Sequence, residues 1–416
     1  VLTVEGKVDQ TSDVLQNGKI VNKGTWHLPA DTNATIGAGS LTTPPKGFRN
    51  AGTIKVDGGA ELSLKLLELS NPTDKGVIKG GGTVSLSGGI HQLSDGAAIQ
   101  GPGTTLELID AAEVHGTGTL KLDQARVEIN NAKLWNTFTI GGDGKTILQR
   151  GAILGDLTTG PDVDLFLVEP GRIDLDGATG EGILRTKGDV RQNRPEAISL
   201  IADARIVNSG TWLIDQASFQ GGGGRFVNEG RVAVDGAAKF EFVRFVNTEK
   251  VTIHDDATME FSGFSPRATD GFIDLRGGRI VTALPLVLSG GPLSGTLVGA
   301  GQIQGDVTNA GTVGIGEGSR PGTMVVSGVY RQLKAGTLFL DVFPSNYDKI
   351  FVGALELDGT LGLDKAGSAP LQPTDKIPLV ATDSRMGRFG KVSGLNALGG
   401  GWRVRYTTTD VRLRHR

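Results

Sequence analysis

The chain has 416 residues, a net charge of −3 from 42 basic and 45 acidic side chains, and no cysteine. That balance excludes a global field directed at nucleic acid or an acidic membrane, and the missing thiols exclude a disulfide framework or a thiolate metal site. Glycine stands at 65 residues against 16 prolines, and aromatics are only 5%, so neither collagen nor a proline-rich linker fits and the core has to come from Val, Leu, Ile and Ala.

The chain opens on the strand-like Val1-Leu2-Thr3-Val4, as expected of a mature or excised fragment. Then comes a phrase that returns along the chain. Ile20-Val21-Asn22-Lys23-Gly24-Thr25-Trp26 reappears as Ile206-Val207-Asn208-Ser209-Gly210-Thr211-Trp212, and the frame recurs around Asn50, Asn228, Asn247 and Asn309. The side chain two residues before each asparagine is apolar, and so are those four and six residues after it. Glycine stands two residues after five of the six; Glu249 is the exception. The frame persists with glycine replacing Asn in residues 78–86 and 114–122. Spacings are 28 residues from Asn22 to Asn50, 20 from Asn208 to Asn228 and 19 from Asn228 to Asn247.

Short strands at that spacing, too close for a helical crossover, predict stacked coils of two or three strands each. No stretch carries apolar residues at i, i+3, i+4 and i+7, so the reading is all-β. The fold expected is a right-handed parallel β-helix over residues 1–315. Asn22, Asn50, Asn208, Asn228, Asn247 and Asn309 are expected to form a structural column at one turn, bonding along the axis and to turn carbonyls. Tolerance of the left-handed region by asparagine is the simpler account of the same positions. The glycines are expected to serve turns that need positive φ.

Residues 160–200 interrupt the rhythm with Asp162, Asp164, Glu169, Asp174 and Asp176, followed by the charged run 187–196. That run is expected to be a loop thrown out from the coils, with Lys187, Arg191 and Arg194 as candidate ligand contacts. Residues 385–416 hold eight basic residues against Asp410 alone. Arg412, Arg414 and Arg416 share one strand face by the period of two, and Arg403 and Arg405 precede them. The run is either a solvated outer face or a contact for an acidic polysaccharide or lipopolysaccharide.

Chemistry at demanding spacing is absent. His27, His91, His115, His254 and His415 are not spaced as metal ligands, so no metal and no cofactor are expected. Residues 141–146 fail as a phosphate loop because Thr139 stands where the motif needs glycine and no helix follows. Asp255-Asp256 and His115-Gly116 lack the flanking motifs and order of polygalacturonase-like enzymes. The acid pairs Asp162 with Asp164 and Asp174 with Asp176 remain the candidates for glycoside chemistry. No apolar run is long enough to span a bilayer as a helix.

From residue 295 the order is Gly295-Thr296-Leu297-Val298-Gly299-Ala300-Gly301, Pro321-Gly322-Thr323, Tyr330, Tyr347-Asp348-Lys349-Ile350-Phe351-Val352-Gly353 and Leu357-Asp358-Gly359-Thr360-Leu361. It closely resembles the end of the passenger domain of bacterial autotransporters, over about 120 residues; the rest resembles that family by architecture alone. Trp402 to Tyr406 and Val411 to Leu413 resemble the final hairpin of that region. The resemblance implies a hairpin-rich, autochaperone-like cap over residues 316–416. It also implies export to the surface of a Gram-negative bacterium, or secretion, in an adhesive, aggregative or structural role. The implied partners are a host or bacterial surface glycan, or a second copy. The translocator barrel and its linker helix do not follow in this sequence, so the barrel is expected to have been removed or the chain to be a free-standing relative. The alternatives are a polysaccharide lyase or glycoside hydrolase whose groups converge only in three dimensions, and a phage tail-spike.

Overall fold

The computed structural model describes every residue except 17–18, 39–47, 65–66, 70–75, 169–172, 177–181, 269, 291–293, 317–319, 345, 369, 372–375 and 416. Glu169 and Arg416, named above, lie outside the described residues. The described chain is all-β, a parallel β-solenoid, with one 3-10 turn at Leu395–Leu398. It divides into two units: Val1–Trp212 with Gly221–Gly224, and Leu213–Gln220 with Arg225–Arg416.

The early coils of the first unit contribute three short strands each. Thr25–Leu28, Asn33–Ala38 and Phe48–Asn50 are followed by Thr53–Val56, Glu61–Leu64 and Leu67–Leu69, and each strand pairs in parallel with its counterpart one coil on. Burial alternates along the strands, as in Thr53–Val56, where Ile54 and Val56 are buried. This is the period of two that lets one face close on a core. Identical positions then stack from coil to coil. Ile36, Leu64, Leu86, Leu108, Ile129, Leu148 and Leu167 form one continuous column, and all are buried. Burying each such side chain contributes about 1.5–3 kcal/mol, so the core follows from the repeat itself.

The phrase glycines depart from expectation. Gly24, Gly52, Gly210 and Gly311 do not take positive φ. They are required by close approach of stacked corners instead: a Cβ on Gly52 would lie 2.2 Å from the Gly24 carbonyl oxygen, and one on Gly210 would lie 2.1 Å from that of Gly188. Residues 187–196 also differ from the expected loop. Asp189–Ile201 is a strand, with Val190, Arg191 and Gln192 paired to Leu165, Phe166 and Leu167. Val190 and Gln192 are buried while Asp189 and Arg191 face out. The charges are the outward half of an ordinary alternation.

In the second unit the core is aromatic near its start. Phe219, Phe240 and Phe261 stack with ring centroids 4.6 and 5.1 Å apart, and Phe226 and Phe245 stack beside them at 5.7 Å. Parallel coils run on past residue 316 to Lys391–Ser393. Antiparallel pairing enters with Trp402–Tyr406 and Asp410–His415, which form a hairpin. Its second strand lies along Lys376–Gly387, pairing from Lys376 to Ala381. The hairpin therefore takes backbone groups that another coil would otherwise satisfy, and Val411 and Leu413 are buried beneath it.

Candidate functional site

The first unit carries a groove of about 470 Å³ between Pro102–Thr105, Gln124–Arg126, Asp143–Lys145 and Asp162 with Asp164. Strand register builds it. Thr105, Arg126, Lys145 and Asp164 occupy equivalent positions on four successive coils. Two residues further along the same strands run Ser85, Glu107, Glu128, Ile147, Phe166 and Arg191. Arg126 pairs with Glu128 at 2.9 Å. Lys145 and Arg191 lie over the Phe166 ring at 5.9 and 5.8 Å from its centroid, a cation–π arrangement on either side of one aromatic.

Glu107 is the perturbed group here. The Ser85 hydroxyl lies within hydrogen-bond reach of Glu107 at 2.9 Å and of Glu61 at 3.2 Å, and with one proton it donates to one of them at a time. Partial burial raises the Glu107 pKa above the usual carboxylate range. The Ser85 bond opposes that, the Glu128 and Glu61 charges add to it, and Arg126 relieves it.

Of the residues singled out in sequence, Arg191, Asp162 and Asp164 belong to this face. Lys187 and Arg194 are exposed on the same run but are not among the groove residues. Asp174 and Asp176 stand on Ile173–Asp176, which pairs on another face of the coil. At the C-terminal hairpin Arg403 faces Arg414 and Arg405 faces Arg412 across the strands. Arg412 forks onto the Asp410 carboxylate, which holds the Asp410 pKa below its usual value. Arg385 and Arg388 lie over the Tyr406 ring at 5.3 and 5.5 Å.

All six phrase asparagines are fully buried. Asn22 donates to Asn50 at 2.7 Å, and Asn228 donates to Asn247 at 2.7 Å. Within the first unit they occupy two columns: Asn22 and Asn50 continue into Leu69, Leu93 and Gly116, whereas Asn208 follows Ile140, Thr159 and Thr186. Within the second unit Asn228, Asn247, Ala268, Leu288, Asn309 and Gln332 share one column. Asn309 donates to the Tyr330 hydroxyl at 3.0 Å and to Gln332 at 2.9 Å. These amides join coils and lie in the core.

Two features escaped the sequence reading. One is Glu107, whose neighbours come from other coils. The other is a pocket of about 480 Å³ in the second unit holding Arg225, Arg244 and Arg267. Its signal was present in the repeated tetrapeptides Arg225-Phe226-Val227-Asn228 and Arg244-Phe245-Val246-Asn247. Among the described residues, no group of three or more His, Asp or Glu side chains is placed to hold a metal ion, and no helix is long and apolar enough to cross a membrane. No protein-family model and no curated protein matches the chain.

Proposed function

We propose that this chain is an exported β-solenoid of a Gram-negative bacterium, secreted or held at the cell surface, which acts by adhesion, aggregation or surface structure. Its partner is a surface glycan or a second copy of itself. The observation that carries this reading is the division of labour between the faces of each strand. Repeated side chains are consumed inside, in columns of Leu, Ile, Phe and Asn, while cations, acids and single aromatics stand outside in register. A repeating scaffold of that kind offers a long, chemically varied contact surface. The resemblance of residues 295–361 to autotransporter passengers supports export, and the antiparallel hairpin of Trp402–Tyr406 and Asp410–His415 supports a folding cap at the end of the coils. The test is adhesion of beads coated with the purified chain to bacterial and epithelial cells and to a glycan panel. Coated beads that bind none of these, combined with a chain that stays monomeric at high concentration, overturn the reading.

Glu107 favours one second reading, a polysaccharide-active enzyme. It faces Glu128 one coil away, and a partly buried acid beside a second carboxylic side chain is the arrangement glycoside chemistry uses. Release of reducing ends or unsaturated products from acidic polysaccharides, abolished by Glu107→Gln, would establish it.

A further inference from the structure

We infer that Arg225, Arg244 and Arg267, with Phe264 and Leu284, form a binding site for a linear acidic polysaccharide bearing sulfate or carboxylate groups. Arg225 and Arg244 occupy the same position on adjacent coils, and Arg267 stands two residues further along on the next, opposite Val246. All three are exposed. Like charges opposite one another across a parallel pair repel, and several outward cations of the second unit are paired with acids. Lys239 pairs with Glu241 at 3.0 Å, Arg276 with Asp274 at 2.9 Å, and Arg331 with Glu356 at 2.5 Å. Arg225, Arg244 and Arg267 have no such acid among the described residues. Three planar guanidinium groups left unpaired along a line across coils present forks suited to sulfate or carboxylate.

The apolar wall narrows the ligand. Arg244 lies over the Phe264 ring, 5.0 Å from its centroid, and Leu284, 43% exposed, borders the same pocket. Phe242, two residues before Arg244, is 58% exposed at a φ of 53°, a strained conformation for a bulky side chain. Aromatic faces beside anion forks suit a pyranose, whose ring carries a C–H face next to its acidic substituents. The net charge of −3 disfavours a long nucleic acid as the natural occupant. The inference stands on residues of the second unit and holds or fails whatever the cell-adhesion test returns.

Calorimetry at low salt with a heparin-derived oligosaccharide, a polygalacturonate oligosaccharide, neutral dextran and single-stranded DNA tests it. The two acidic oligosaccharides, or one of them, are expected to bind, and dextran is not. The Arg225→Gln/Arg244→Gln pair should weaken binding by about tenfold or more, with an unchanged melting curve as the control for folding. Arg244→Lys, which keeps charge but loses the fork, should retain part of the affinity. Phe264→Ala should weaken the oligosaccharide, and Arg403→Gln/Arg405→Gln should have no effect. Undiminished binding by the Arg225/Arg244 pair overturns the site, as does loss in the hairpin variant alone. Binding of single-stranded DNA as tight as that of the oligosaccharides, indifferent to Phe264→Ala, also overturns it, because that outcome marks a surface for any polyanion.

Discussion

The Asn228 side-chain amide donates to the Asn247 carbonyl oxygen one coil on, at 2.7 Å, and reaches the Gly230 and Lys250 carbonyls at 3.1 Å each. Asn247 repeats the motif, donating to the carbonyls of Glu249 at 3.1 Å and Phe272 at 3.2 Å. One buried side chain thus satisfies its own corner and the next. Asn247→Ala strips the carbonyls of Glu249 and Phe272 of a side-chain donor and removes the acceptor for Asn228. It is expected to destabilise the second unit by about 1–3 kcal/mol, the cost of leaving such groups unpaired. Asn247→Asp should cost more near neutral pH, since a carboxylate cannot donate to carbonyls. Urea unfolding monitored by circular dichroism checks both; an aspartate variant as stable as wild type would show that these bonds do not hold the corner.

The same corners show where the sequence could be read and where it could not. Apolar residues flanking each asparagine announced a buried strand, a corner and another buried strand, and that is what stands around Asn50 and Asn228. Nothing in the phrase says which corner of a three-stranded coil it occupies, because any corner leaves turn carbonyls in need of a donor. Asn50 and Asn208 accordingly fall in different columns. Glycine after the asparagine was legible as a need for a small residue, but its cause was not. The contact that forbids a Cβ on Gly52 comes from Gly24, 28 residues earlier. Charge content concealed the strand at Asp189–Ile201, since Arg191 and Asp189 drew attention away from buried Val190 and Gln192. The Glu107 site was illegible for the same reason as the Gly52 contact: Ser85, Arg126 and Glu128 reach it from neighbouring strands, at separations with no motif.

Asp348 gives the second unit a pH dependence of unusual sign. It is fully buried and accepts from the backbone N–H groups of Gly322 and Asp341, each at 2.8 Å, tying the Pro321-Gly322-Thr323 turn to the neighbouring strand. Burial raises its pKa to about 6 despite those two bonds, with a further push from the Asp341 charge. A carboxyl whose folded pKa lies above its unfolded value contributes stability that is fully present below the unfolded value. That contribution is lost as pH rises through the folded one. Between about pH 4 and pH 6 it should therefore decline, by on the order of 1–3 kcal/mol. Asp410, held low by Arg412, works in the opposite direction at lower pH. The quantity to measure is the stability of wild type minus that of Asp348→Asn across this range. It should fall with rising pH; two parallel curves would mean that Asp348 does not titrate as described.

The C-terminal hairpin makes a separate prediction about folding. Val411 and Leu413 are fully buried against Lys376–Gly387, so Leu413→Ala should cost about 2–5 kcal/mol. Removing residues 400–416 bares the edge of that strand, where unpaired N–H and C=O groups invite pairing with another chain. The truncated protein should refold more slowly from denaturant and scatter light at concentrations where the full chain stays clear. Equal refolding rates and equal clarity would remove the case for a folding cap.

Glu107 decides between scaffold and enzyme on the outward face beside the first-unit groove. Its raised pKa means that, as the pH falls, Glu107 loses its negative charge beside Arg126 before an ordinary glutamate would. An acidic oligosaccharide held there should bind more tightly as the pH is lowered, and Glu107→Gln should lessen that dependence by fixing the neutral form. Phe166→Ala should weaken binding at every pH, since it takes away the surface between Lys145 and Arg191; a single stacking contact of this kind contributes about 0.5–1.5 kcal/mol. Product release is followed in the same samples. A scaffold gives pH-dependent binding and no new reducing ends in wild type or variant. An enzyme gives turnover in wild type that disappears in Glu107→Gln while binding survives. That second outcome would replace the adhesive reading of this face with a catalytic one, because a neutral isostere of Glu107 preserves contact but cannot exchange a proton.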